Sequence, residues 1–231
     1  MAEFPDLITD LFILGDTLND NGIYGIKFYV RGKPWVVSID DLMFVDTYYA
    51  TDSLMFVAPD PYSGAIWGPL LEKAWAKVIG NYELADGGYM ENGLRQHTGA
   101  PIFTYWINEF ETQTKADQLW AILSEADTAN YIMGLSVYTT SYGQTTNNCG
   151  IVQGHAYSIL SAFTMTDAAG TDHKMILVRN PWGITYYSGL WSANDTNWTD
   201  ALVAQVPLSI DPRTSVDDGI MAMPSSNLMN T

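Results

Sequence analysis

The chain has 231 residues, 47% hydrophobic and 13% aromatic, enough to bury a core as one large domain or two lobes and too apolar for a disordered protein. Ten basic against 26 acidic residues give a net charge of −16, which argues against binding nucleic acid or an anionic membrane surface. One cysteine excludes an intramolecular disulfide, and no run of about 18 apolar residues is present to span a membrane.

The opening "MAEFPDLITDLFILGD" lacks a basic start and is broken by Pro5, Asp6 and Asp10, so it does not read as a signal peptide, and a cytoplasmic location is the expectation. The sequons at Asn194 and Asn197 then read as loop residues. Residues 5–15 suggest a short helix. "GIYGIKFYV", "RGK" and "PWVVSIDD" follow as two β-rich runs joined at Gly32, a hairpin. From Ser63, Ile66, Trp67, Leu70, Leu71, Ala74, Trp75, Val78 and Ile79 recur at helical spacing, with Ser63 as the expected N-cap. "ELADGGYMENG" reads as a hinge, and "TKADQLWAILSEADTA" as a further helix. Beyond residue 131 the pattern is strand: "YIMGLSVYTT", "GHAYSILSAFTMT" and "KMILVRN". This order predicts an α+β protein of two unequal lobes.

Two candidate pairings involve His155. Cys149 lies six residues before it, about 20 Å along an extended strand, so only a tight reversal could join them. "IVQ" in between is more strand-like than turn-like, and Cys149 reads as a small residue near a turn. On the other side, "TDAAGTD" is a turn signal between two strand-like runs, which sets His155 within a residue or two of opposition to Asn180. A bulge or wider turn would let the two lie side by side, where an Asn carboxamide oxygen can accept the imidazole N–H and fix the ring. Trp182 would sit near that contact. Spacing alone favours a purely structural role, a lone histidine within a strand and an asparagine ending one.

"GIVQGHAYSIL", then "ILVRNPWG" and "YSGLWSANDTNW", together resemble the second protease subdomain of the calpain family, papain-like cysteine endopeptidases. "GIYGIKFYVRGKPWVVSIDDLMFV", "IWGPLLEKAWAKVIGNYELADGG" and "VDDGIMAMPSSNLM" extend the resemblance over nearly the whole chain. It implies a papain-like core, with residues 1–88 as part of a helical first subdomain and 89–231 as a β-rich second one. It also implies His155 as catalytic base, Asn180 as its orienting residue, and Tyr157 and Trp182 as supports, Trp182 shielding the His–Asn contact.

The resemblance fails at the front. The family's nucleophile lies in a Gln-Gly-x-x-Gly-x-Cys-Trp motif that this sequence does not contain, so the chain is expected to start past that cysteine and to be inactive as written. Calcium is implied by the family, but Ala65, Tyr186 and Ala193 stand where acidic ligands are expected. Asp217 and Asp218 remain as a weak, vestigial site to which Asp195 could add, and no tight calcium binding is expected. Implied partners are protein or peptide substrates, with further calpain domains outside this sequence. The alternative is a non-catalytic calpain-like module that binds peptides or proteins.

Overall fold

Pro5 needs no N–H in the first turn of a helix, and it opens α1 (Pro5–Thr9) in the computed structural model, which describes residues 4–15, 17–47, 53–60, 63–139 and 145–230. The helix is shorter than the expected 5–15, because Ile13 and Leu11 leave it to hydrogen-bond with Gly25 and Lys27 of the next strand. That strand, β1 (Ile23–Val30), pairs antiparallel with β2 (Lys33–Asp40), from Ile23 opposite Asp40 to Val30 opposite Lys33. Arg31 and Gly32 between them both have positive φ, 51° and 74°, the two-residue turn whose twist matches a hairpin. The predicted hairpin is therefore present.

Alternation along the hairpin puts Tyr24, Ile26, Phe28, Val37 and Ile39 on one buried face. Leu70 and Ala74 of α2 (Trp67–Ile79) pack on it. The helix starts three residues later than a Ser63 cap would set it, at Trp67 after Ile66. Ser63 is not its cap; its backbone N–H and hydroxyl donate to Asp60 Oδ1 at 2.7 and 2.9 Å, closing a turn ahead of the helix. Two short strands, β3 (Val45–Asp46) and β4 (Ser53–Leu54), pair with each other.

The stretch expected as a hinge forms a 3-10 turn at Glu83–Ala85 and then the start of α3 (Met90–Thr98). This helix packs on β1, and the chain separates into two compact units, Met1–Thr104 and Tyr105–Thr231. Its packing places the His97 ring 5.2 Å from both Phe28 and Trp75, with Nδ1–H donating to Gly93 O at 2.6 Å.

Burial holds the His97 pKa below the ordinary value of 6.5, the Gly93 carbonyl offsetting part of that. The unfolded chain therefore binds the proton more readily, and stability falls as pH drops below about 6.5 toward the lower folded value. Urea unfolding at about pH 7.5 and about pH 5.5 should show this loss, and His97→Phe should flatten it; parallel profiles for the two proteins would refute the assignment.

The second unit begins with α4 (Gln113–Thr128), capped by Thr112 Oγ1, which accepts from Lys115 N. Then come β5 (Met133–Val137), β6 (His155–Thr166), β7 (Asp172–Arg179), the short α5 (Asp200–Val203) and β8 (Ile220–Pro224). The four strands form one antiparallel sheet in the order β5-β6-β7-β8. Asp167 closes the β6–β7 turn by accepting the N–H groups of Ala169 and Thr171 on Oδ1, both at 2.9 Å.

Both faces of this sheet are covered. Ile159, Ala162, Ile176, Val178, Met221 and Met223 join one apolar cluster with Leu119 and Leu135, whereas Met165, Met175, Leu177 and Ala222 join another with Trp191, Trp198 and Leu202. Double burial is why "KMILVRN" reads as a continuous apolar run. Among the described residues, no helix is long and apolar enough to cross a membrane.

Candidate active site

His155 opens β6, opposite Val137 of β5, and Asn180 directly follows β7. Ser158 pairs with Arg179, so the next step of that register sets Tyr157 beside Asn180, and His155 reaches the same face diagonally. A bulge between Ile159 and Ser161 creates this register, one of the two devices expected from the spacing.

The contact is direct, with His155 Nε2 2.8 Å from Asn180 Oδ1. Protonation follows from a second bond to the same oxygen. Trp182 N–H, which can only donate, reaches Oδ1 at 3.1 Å, and that identifies the carboxamide atom as oxygen. Nε2 must then carry the proton, leaving Nδ1 as the ring nitrogen with a free lone pair. Asn180 is only 1% exposed, and its backbone is held as well: its N–H donates to Gly219 O at 2.9 Å and its carbonyl accepts from Gly183 N at 3.1 Å.

Two aromatic rings hold the imidazole. Trp182 lies 4.3 Å away, centroid to centroid, at 40°, and Tyr157 meets it edge-on at 4.9 Å and 84°. Trp182 is 48% exposed, so part of this ring faces solvent while it packs on the imidazole. Tyr157 is buried, which pushes its phenol pKa up, and its hydroxyl accepts Val152 N–H at 2.9 Å. One tyrosine thus touches both the imidazole and the segment leading into β6.

Cys149 lies in a reversal that its neighbours did not advertise. Thr146 bridges to Val152, and Asn147 Oδ1 accepts the N–H groups of Cys149 and Ile151 at 3.0 and 2.9 Å. Gly150 (φ 78°) follows, where an added Cβ would lie 2.0 Å from Tyr186 O. Despite the turn, no hydrogen bond joins Cys149 to His155; its side chain packs against the apolar cluster of the second unit, and its carbonyl accepts from Ser188 N at 2.9 Å.

Asp217 and Asp218 lie exposed on a 3-10 turn (Val216–Asp218), and the Asp218 carbonyl accepts from Arg179 Nε at 3.3 Å. Among the described residues, no group of three or more His, Cys, Asp or Glu side chains is arranged to hold a metal. Two adjacent carboxylates do not by themselves fit a cation that takes six to eight oxygen ligands.

One residue missed from sequence acts through the backbone. Gly219 accepts the Asn180 N–H from the position just before β8, a strand hidden in "GIMAMP" behind its acidic neighbours. Its adjacency to Asn180 is set by sheet order, which no local pattern encodes.

A buried Asn orienting a His beneath a Trp is an arrangement that can hold a base for a thiol. The chain belongs to the calpain family: the family model described as calpain family cysteine protease matches residues 1–230. It is 33% identical over 181 residues to the calpain-2 catalytic subunit of Gallus gallus, covering 77% of this chain and 24% of that protein. It is 31% identical over 201 residues to calpain-14 of Homo sapiens, covering 86% and 27%, and 28% identical over 224 residues to calpain-5 of Caenorhabditis elegans, covering 88% and 34%. The chain thus spans about a quarter to a third of the length of these relatives.

Proposed function

We propose that this chain carries the base and its orienting residue for a calpain-type cysteine endopeptidase, with the thiol supplied by a segment outside the given sequence. The observation that supports this most is the His155–Asn180 bond, which leaves the Nδ1 lone pair to take a proton. In the assembled enzyme His155 Nδ1 removes the thiol proton, the thiolate attacks a peptide carbonyl, and the imidazolium returns the proton to the leaving amine. Asn180 Oδ1 holds the tautomer and the ring angle through both transfers, and Trp182 limits water at that bond. Protein or peptide substrates follow from the family. No step runs through a metal.

For the chain as given, the packing of Cys149 away from hydrogen bonding with His155 favours a second reading, a non-catalytic module that binds peptides or proteins. The two readings part in one experiment. Joined in frame behind a segment bearing Gln-Gly-x-x-Gly-x-Cys-Trp, the chain should cleave casein and be blocked by iodoacetamide, while the chain alone stays inert. A folded but inactive fusion would favour the binding module, and cleavage by the chain alone that Cys149→Ser abolishes would overturn both.

A further inference from the structure

We propose that Asp127 is a positioning residue for His155 and Asn180: its carboxylate holds the β6 bulge that turns both side chains to one face of the sheet. Near the hairpin turn, β6 and β7 pair regularly, from Thr166 opposite Asp172 to Ser161 opposite Leu177. Continued without interruption, that register would set Ser158 against Asn180 and turn Tyr157 and His155 to the opposite face. Leu160 is the extra residue. Beyond it Ile159 opposes Val178 and Ser158 opposes Arg179, so the alternation is shifted by one and His155 joins the face of Asn180.

The two apolar clusters record the same shift. Ile159 and Ala162 are three residues apart and would face opposite ways in a regular strand, yet both belong to the cluster with Ile176 and Val178, while Leu160 packs against the other. The bulge also coincides with the first residue of β5, Met133, whose partner Ile159 is the last β6 residue that β5 pairs. Just past it, Ala162 N–H is taken by Asp127 Oδ1 at 3.1 Å, from the last turn of α4. A carboxylate on a helix thereby supplies the acceptor that β5 does not extend far enough to provide. The hydrophobic pattern selects the register, and Asp127 fixes where it changes.

The functional meaning of this inference rests on the reading of His155 and Asn180 as base and orienter, but its test does not require peptidase activity. Long-range nitrogen–proton NMR of the full 15N-labelled chain reports the tautomer of His155 and the solvent exchange of its Nε2 proton. Wild type should show one tautomer with a slowly exchanging proton. Asp127→Asn keeps an acceptor oxygen and should match it, as should Asp117→Ala, which removes another carboxylate of the same helix with its Lys174 ion pair and its Gln113 hydrogen bond. Asp127→Leu should exchange that proton at least about tenfold faster, with mixed tautomer signals. A folded Asp127→Leu with wild-type signals overturns the proposal. Should that variant not fold, Asp127→Ala combined with deletion of Leu160 decides it. The deletion leaves a regular ladder in the same register, so slow exchange should return, and its failure to return overturns the proposal.

Discussion

His155→Ala, made in the fusion that supplies the thiol, is expected to lower kcat/KM by roughly 10²- to 10⁴-fold, the range that loss of a positioned general base costs. The expected loss falls mainly on kcat, because the imidazole acts on the moving proton more than on substrate binding. Asn180→Ala should behave differently. It leaves the imidazole in place but removes the oxygen that accepts both His155 Nε2–H and Trp182 N–H, so the ring can rotate or adopt the other tautomer. Two donors then lose their acceptor at a side chain that is almost fully buried, which should destabilise the fold by about 1–3 kcal/mol besides slowing catalysis. Equal activity of His155→Ala and the unsubstituted fusion would remove His155 from the mechanism, whatever the stability data show.

Gly219→Ala is expected to damage the site without touching a side chain in it. Gly219 has φ 74°, where a non-glycine residue costs about 1–2 kcal/mol, and a Cβ there would lie 2.5 Å from Asn180 O and 3.1 Å from Ile184 N. Both neighbours are backbone atoms, so no rotamer change relieves the contact. Asn180 itself must move, although its N–H is bonded to Gly219 O. With overpacking adding about 1–3 kcal/mol, the total loss should be about 2–5 kcal/mol, read as a lower urea midpoint. The His155 Nε2 proton signal should weaken in parallel. A wild-type midpoint would mean that the backbone relaxes around the methyl group.

Elements with strong local signals were legible in the sequence. The Gly32 hairpin, the helical repeat from Ile66 to Ile79 and the strands after residue 131 carry their own periodicity, and the structure contains all of them. Ends and caps were less legible. Ser63 looks like a cap, but Asp60 competes for its N–H and hydroxyl, and the helix starts later. "YMENGLRQHT" has a glycine at its centre and little apolar character, which hid α3. β8 was masked by the acidic turn before it.

At the site, the proximity of His155 and Asn180 could be read from a turn and two strand-like runs. Their sharing of a face could not be read from spacing, because it depends on one unpaired residue in β6, and neither Asp127 nor Gly219 lies near the motifs that draw attention.

The same hairpin constrains how such chains can change in length. Between His155 and Asn180, adding one residue to each strand at facing positions moves the turn outward and leaves every pairing below it intact. A single inserted residue in one strand, unless a second irregularity absorbs it, exchanges odd for even from that point on and gives the base a different neighbour. What inheritance must conserve in this segment is therefore parity more than length, and an alignment of relatives that opens a one-residue gap between the histidine and the asparagine should be examined for a lost or added bulge.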